Sequence, residues 1–135
     1  LKPMKGLFEL LDYLEELNIP KCVATSSPRP YLETLLVQFD LTHRFPISLT
    51  AEDVTHGKPH PEIYLTAAEK MSVTPERMLV LEDSETGTKS GVGAGAYVVS
   101  IPHEYSNYGD FSSAQFIADS LTDARVLDLF SPQHS

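Results

Sequence analysis

The sequence predicts an α/β fold, a parallel sheet with flanking helices formed by one domain. Helical and strand-like segments alternate along all 135 residues, the order that right-handed crossovers between parallel strands produce. The candidate strands are short uninterrupted apolar runs, such as Met78-Leu79-Val80-Leu81, which suits strands buried on both faces. The length suffices for a single core, and no repeat, low-complexity tract or internal linker divides it.

Taken in order, Leu7, Leu10, Leu11, Leu14 and Leu17 recur at helical spacing, and Asn18-Ile19-Pro20 stops that helix. A strand is expected over 21–25. Ser27-Pro28-Arg29-Pro30 then reads as a capped, proline-started helix, with Ser27 as the cap and Leu32, Leu35, Leu36 and Phe39 inward. A short strand follows over 47–50. After a loop to Pro61 comes a helix through Ile63, Tyr64, Ala67, Ala68 and Met71, punctuated by Pro75 before a strand over 78–81. Ser84 can cap the next helix. A buried strand over 97–101, a short edge strand over 116–118 and a helix over 122–130 complete the chain.

Composition excludes several function classes. A formal charge of -9 opposes nonspecific binding to nucleic acid or to an anionic membrane. The lone cysteine, Cys22, lies in the apolar run Cys22-Val23-Ala24 and reads as a buried structural thiol rather than a nucleophile. No apolar stretch approaches membrane-spanning length, and a soluble, cytoplasmic protein is the expectation.

Three polar features fall at strand ends or just beyond them: Thr25, Lys58 and the pair Glu82-Asp83. Crossovers of one hand bring those ends to one edge of the sheet, where open α/β sheets bind ligands. A hydroxyl and backbone N–H groups can hold phosphate oxygens, a lysine neutralises them, and carboxylates hold a hard cation. Each feature also has a plain structural explanation: a strand-end hydroxyl, a solvated loop lysine, or helix-entry acids favoured by the helix dipole. Two prolines following Lys58 in Gly57-Lys58-Pro59-His60-Pro61, and the apolar run before Glu82, favour the functional explanation.

The remaining candidates are weaker. Gly87, Gly91, Gly93 and Gly95 match neither a dinucleotide fingerprint nor a P-loop and suggest close helix–strand packing. His56 and His60 are four apart, but Gly57 and Pro59 argue against one helix carrying both to a zinc ion. The spacing of His43, His103 and His134 suggests no ligand set. Asp53 reads as a turn residue, and Ser26 and Ser27 lack the surroundings of a hydrolase nucleophile.

Together the segments Val23-Ala24-Thr25-Ser26-Ser27-Pro28, Gly57-Lys58-Pro59-His60-Pro61-Glu62-Ile63-Tyr64 and Leu79-Val80-Leu81-Glu82-Asp83-Ser84 resemble motifs two, three and four of the haloacid dehalogenase superfamily. The resemblance is nearest to its phosphoglycolate phosphatase and β-phosphoglucomutase-like branch. It implies a Rossmann-like core and Mg2+-dependent phosphoryl transfer from a small phosphorylated substrate through an aspartyl-phosphate. Thr25 and the backbone of Ser26 would bind the phosphoryl group, Lys58 would stabilise its charge and the nucleophile, and Asp83 assisted by Glu82 would hold Mg2+. The family's first motif, the Asp-x-Asp that supplies the nucleophile, has no counterpart here, nor has the helical cap that reads the substrate.

The expectation is therefore the carboxyl-terminal part of such an enzyme, inactive alone and weak in Mg2+ binding. In the family the missing strand lies between those ending at Thr25 and Asp83, so a gap is expected there, filled by an N-terminal segment, by a swapped second chain or by closure of the sheet. A noncatalytic pseudoenzyme on the same core and a phosphomutase are the alternatives. A phosphoacceptor receiver domain has these residue types in another order, and a dehalogenase would not need the acid pair. The loop from Pro102 to Asp110, with Tyr105 and Tyr108, reads equally well as an entrance or a solvated connector.

Overall fold

A computed structural model of the chain describes residues 4–103 and 109–131. Tyr105 and Tyr108 of the candidate entrance loop, and His134, lie outside the described residues. The elements run α1 (Leu7–Glu16), β1 (Cys22–Ala24), α2 (Arg29–Gln38), β2 (Ile47–Leu49), α3 (Glu62–Lys70), β3 (Leu79–Glu82), α4 (Glu85–Gly93), β4 (Tyr97–Ser100), β5 (Phe116–Ile117) and α5 (Ala124–Asp128), with short 3-10 turns between some of them. Every expected helix and strand is present. Strands β1, β2, β4 and β5 end one residue earlier than expected and β3 one residue later, at Glu82, yet ladder-type bonds continue past the ends: Thr25 N–H donates to Leu49 O at 3.0 Å, Ile101 N–H to Glu82 O at 2.7 Å and Ala118 N–H to Ser100 O at 2.9 Å.

All strand pairs are parallel, but they form two sheets, β1-β2 and β3-β4-β5. Among the described residues no ladder joins β1 to β3, so closure of the sheet upon itself is not what the chain adopts. The helices hold the two sheets together. Alternate strand residues point to opposite faces; Cys22, Ala24, Met78, Val80 and Val98 pack with Ile63, Tyr64, Ala67 and Ala68 of α3. On the other side Leu79, Leu81, Val99 and Ile101 pack with Leu10 and Leu14 of α1 and Val126 of α5. Val23 packs with Leu11 of α1 and with Leu32 and Leu36 of α2. β1 is only partly buried throughout, although its residues are apolar and lie between helices. That residual exposure marks the break between the sheets.

Three local expectations need correction. Ser27 does not cap α2: Pro28 occupies the N-cap with no side-chain hydrogen bond, because Pro30, with its fixed φ, already sits inside the first turn. Helix α5 starts later, at Ala124, with Asp123 accepting from Arg125 N–H. The glycines of the fourth helix and its end serve different purposes. A Cβ on Gly91 would meet Val98 and Val80 at 2.8 and 3.1 Å, the close packing expected. Gly95 has φ +88 and is needed for its backbone conformation.

Surface carboxylates tie loops and helices together, and these links set the acid response. Arg44 holds the Glu15 carboxyl below the usual range. The Thr50 hydroxyl does the same for Glu52, the Thr50 N–H for Asp53, the Thr55 N–H for Glu62 and the Arg125 side chain for Asp123. A carboxyl whose pKa is lower folded than unfolded stabilises fully above its unfolded value and loses that contribution as the pH falls through its folded value. The melting temperature is therefore expected to be flat from pH 7 to about 5 and to fall progressively toward about pH 2. A melting temperature that stays level down to about pH 3 would contradict this reading.

Among the described residues no helix is long and apolar enough to cross a membrane.

Candidate functional site at the sheet break

The carboxyl ends of β1 and β3 border a cleft of about 310 Å3 lined by Thr25, Ser26, Ser27, Lys58, Glu82, Asp83 and Ser84, with Met4, Ala24 and Leu81 as its apolar wall. The three polar features separated by up to half the chain in sequence thus meet at one edge.

The first wall is the turn after β1. Thr25 Oγ1 accepts from Ser27 N–H at 3.1 Å, which leaves its own proton free to be donated. Ser27 O accepts from Ala51 N–H at 3.2 Å. Arg29 locks the turn to the end of β2: its guanidinium bonds Ser48 Oγ and Ser48 O, both at 3.0 Å, and Asp53 Oδ2 at 2.9 Å, while its N–H reaches Glu52 Oε2 at 2.8 Å. Asp53 also closes a capping box with Thr50, so it is a turn residue, as its spacing predicts. Ser26 is exposed at the tip of this braced turn.

Lys58 forms the second wall. Its ammonium donates to Ala24 O at 3.2 Å and pairs with Glu82 Oε2, so one side chain spans the break from β1 to β3. Its side chain is 8% exposed and that of Glu82 6%, making this a buried ion pair. The preceding loop is held by Glu62, whose carboxylate accepts from the N–H groups of Thr55 and His56, both at 2.9 Å. His56 and His60 stack with ring centres 4.8 Å apart, and His60 Nδ1 accepts from Glu62 N–H at 3.1 Å. Among the described residues no three His, Cys, Asp or Glu side chains group as a metal cage.

The adjacent acids of β3 diverge. Glu82 turns inward, where the Tyr64 hydroxyl also donates to its Oε2 and Ser84 Oγ lies 3.4 Å from its Oε1. Ser84 caps α4, accepting from Gly87 N–H at 3.0 Å, as its sequence position suggests. Asp83 faces outward, its side chain 42% exposed, with His103 Nε2 at 3.8 Å from Oδ2. Cys22 lies half-buried near the same core, and burial pushes its thiol up to about 11, which fits a structural role.

Mg2+ takes an octahedron of oxygens, commonly one or two carboxylates completed by water and phosphate. Asp83, outward at the cleft edge, suits one such position. Glu82 has both oxygens engaged from inside and is not turned outward. The chain thus fits part of a Mg2+ site.

Sequence reasoning missed Tyr64 and His103. Strand alternation offered a signal for the first: Glu82 continues the Met78–Val80 face, the one that α3 covers. The neighbour relation of β3 and β4 brings His103 beside Asp83, which no spacing in the sequence shows.

The model of the haloacid dehalogenase-like hydrolases matches residues 1–101. Validoxylamine A 7'-phosphate phosphatase of Streptomyces hygroscopicus subsp. limoneus is 36% identical over 96 residues, covering 71% of this chain and 45% of that protein. Phosphoglycolate phosphatase of Escherichia coli K12 is 31% identical over 118 residues, covering 85% and 46% respectively. The crystal structure of CbbY from Rhodobacter sphaeroides in complex with phosphate superposes with a TM-score of 0.85 at 30% identity, over 93% of this chain and 58% of that one. The chain spans about half the length of the curated relatives it matches. With its fold, its three ordered motifs and this match in agreement, the chain belongs to the haloacid dehalogenase-like hydrolase family.

Proposed function

We propose that the cleft is the phosphate-binding part of a phosphatase site acting on a small phosphorylated metabolite by Mg2+-dependent phosphoryl transfer through an aspartyl-phosphate. The observation that carries this reading is Lys58, anchored across the sheet break between Ala24 O and Glu82 and facing the Thr25–Ser26 turn. Thr25 donates its hydroxyl proton to a phosphoryl oxygen, the Ser26 backbone supplies a further N–H, and Lys58 offsets the charge. Asp83 would hold Mg2+, while Glu82 holds Lys58 in place behind it; when bound, the ion offsets phosphoryl charge and orients the group. The nucleophilic aspartate comes from outside these residues, since no Asp-x-Asp follows a strand in the chain. The phosphatase names of two relatives support the reaction class.

The test uses the 135-residue chain and inorganic phosphate. Binding should shift the backbone amide signals of Thr25 and Ser26, and Thr25→Ala should weaken it about fivefold, the effect of one lost hydrogen bond of about 1 kcal/mol. Asp83→Asn should abolish any strengthening by Mg2+ and leave Mg2+-free binding intact. No turnover of a generic phosphate ester is expected from the chain alone. Turnover that disappears in Asp83→Asn would overturn the external nucleophile.

A further inference from the structure

We propose that Tyr64 is a positioning residue for Lys58, acting through Glu82; the inference rests on the phosphate-cleft reading. Tyr64 lies on α3, buried at 7% exposure within the core. A buried phenol needs a hydrogen-bond partner, and this one donates to Glu82 Oε2, the oxygen that also holds the Lys58 ammonium. The aromatic ring lies beside that ammonium, 5.3 Å from centroid to Nζ. The other carboxylate oxygen faces Ser84, and the absence of a side chain on Gly87 leaves the carboxylate its space.

This arrangement controls how much of Lys58 remains for a ligand. Of the three ammonium protons, one goes to Ala24 O and one to Glu82, leaving one for the cleft. A carboxylate oxygen shared by two donors gives each less of its charge than it would give one. The phenol therefore takes up part of Glu82's acceptor capacity and leaves the ammonium less neutralised and fixed in direction. An un-ionised phenol always has a proton to donate, and Glu82 Oε2 is where this one donates it. Without the hydroxyl, Lys58 would settle deeper on Glu82 and its third proton would leave the cleft.

The experiment measures inorganic phosphate affinity of the 135-residue chain by calorimetry for native, Tyr64→Phe, Glu82→Gln and the double variant. Chain labelled with 13C at the tyrosine ring carbon bearing the hydroxyl is followed in parallel by NMR. Tyr64→Phe should weaken phosphate about fivefold in the native background, equivalent to about 1 kcal/mol, and not at all in the Glu82→Gln background. The Tyr64 resonance, identified by its loss in Tyr64→Phe, should move in Glu82→Gln. A merely structural phenol would lower the melting temperature without this dependence on background. Equal weakening in both backgrounds, or an unmoved resonance in Glu82→Gln, overturns the proposal. Affinity untouched by Thr25→Ala, with the Tyr64 resonance behaving as expected, would instead overturn the phosphate reading and the functional role of Tyr64 with it.

Discussion

Lys58→Met is expected to lower the unfolding free energy of the chain by about 3–5 kcal/mol, because it leaves a carboxylate buried without its cation. The size follows from burial. The Lys58 and Glu82 side chains are 8% and 6% exposed, so little water can reach the carboxylate once the ammonium is gone. Tyr64 and Ser84 would still approach Glu82, but neither carries a positive charge. An exposed pair such as Lys89–Glu85 is screened by water and contributes little, and the buried pair must depart from that behaviour. The double variant Lys58→Met/Glu82→Gln removes both charges and should recover most of the loss, since exchanging a whole buried pair for neutral groups is often close to neutral. Urea unfolding of the four proteins measures the cycle. A Lys58→Met chain within about 1 kcal/mol of native would mean that water reaches Glu82 and that the bridge across the sheet break has little energetic weight.

That bridge also shows what the sequence made legible and where it stopped. The convergence of Thr25, Lys58 and Asp83 was readable because parallel strands with crossovers of one hand put their carboxyl ends on one edge, whatever the side chains do. The break between β1 and β3 followed only from the resemblance, since apolar runs identify strands without stating which strands pair. The divergence of Glu82 and Asp83 was hidden differently. Strand alternation separates their faces, but the inward direction depends on which face α3 covers, a fact fixed by Ile63, Tyr64 and Ala67 packing on Val80 and Val98. Tyr64 was thus assigned to the core, correctly for its ring and incompletely for its hydroxyl. Ser27 failed as a cap because two prolines, Pro28 and Pro30, both suited a helix start and local chemistry did not choose between them.

Gly87→Ala should destabilise the chain even though alanine is the better helix former, and the opposition of those two effects makes the variant informative. Gly87 lies in α4, where alanine would gain about 1 kcal/mol on helix propensity alone. A Cβ there would stand 1.9 Å from Glu82 Oε1, 2.1 Å from Cδ and 2.5 Å from Oε2, separations that no contact tolerates. The carboxylate must move, and it cannot move without loosening its bonds to Lys58 and Tyr64. Overpacking costs about 1–3 kcal/mol, and disturbing a buried ion pair adds to it, so a net loss of about 2–4 kcal/mol is expected after the propensity gain. Gly93→Ala, at the end of the same helix, provides the control. Its Cβ would meet Pro61 at an ordinary 3.4 Å, so it should be neutral or gain up to about 1 kcal/mol. Glu82→Asp shortens the side chain by one methylene and should reduce the penalty of Gly87→Ala when the two are combined. If Gly87→Ala unfolds in urea at or above the native midpoint, the carboxylate does not occupy the space beside Gly87, and the inward placement of Glu82 with its links to Lys58 and Tyr64 falls with it.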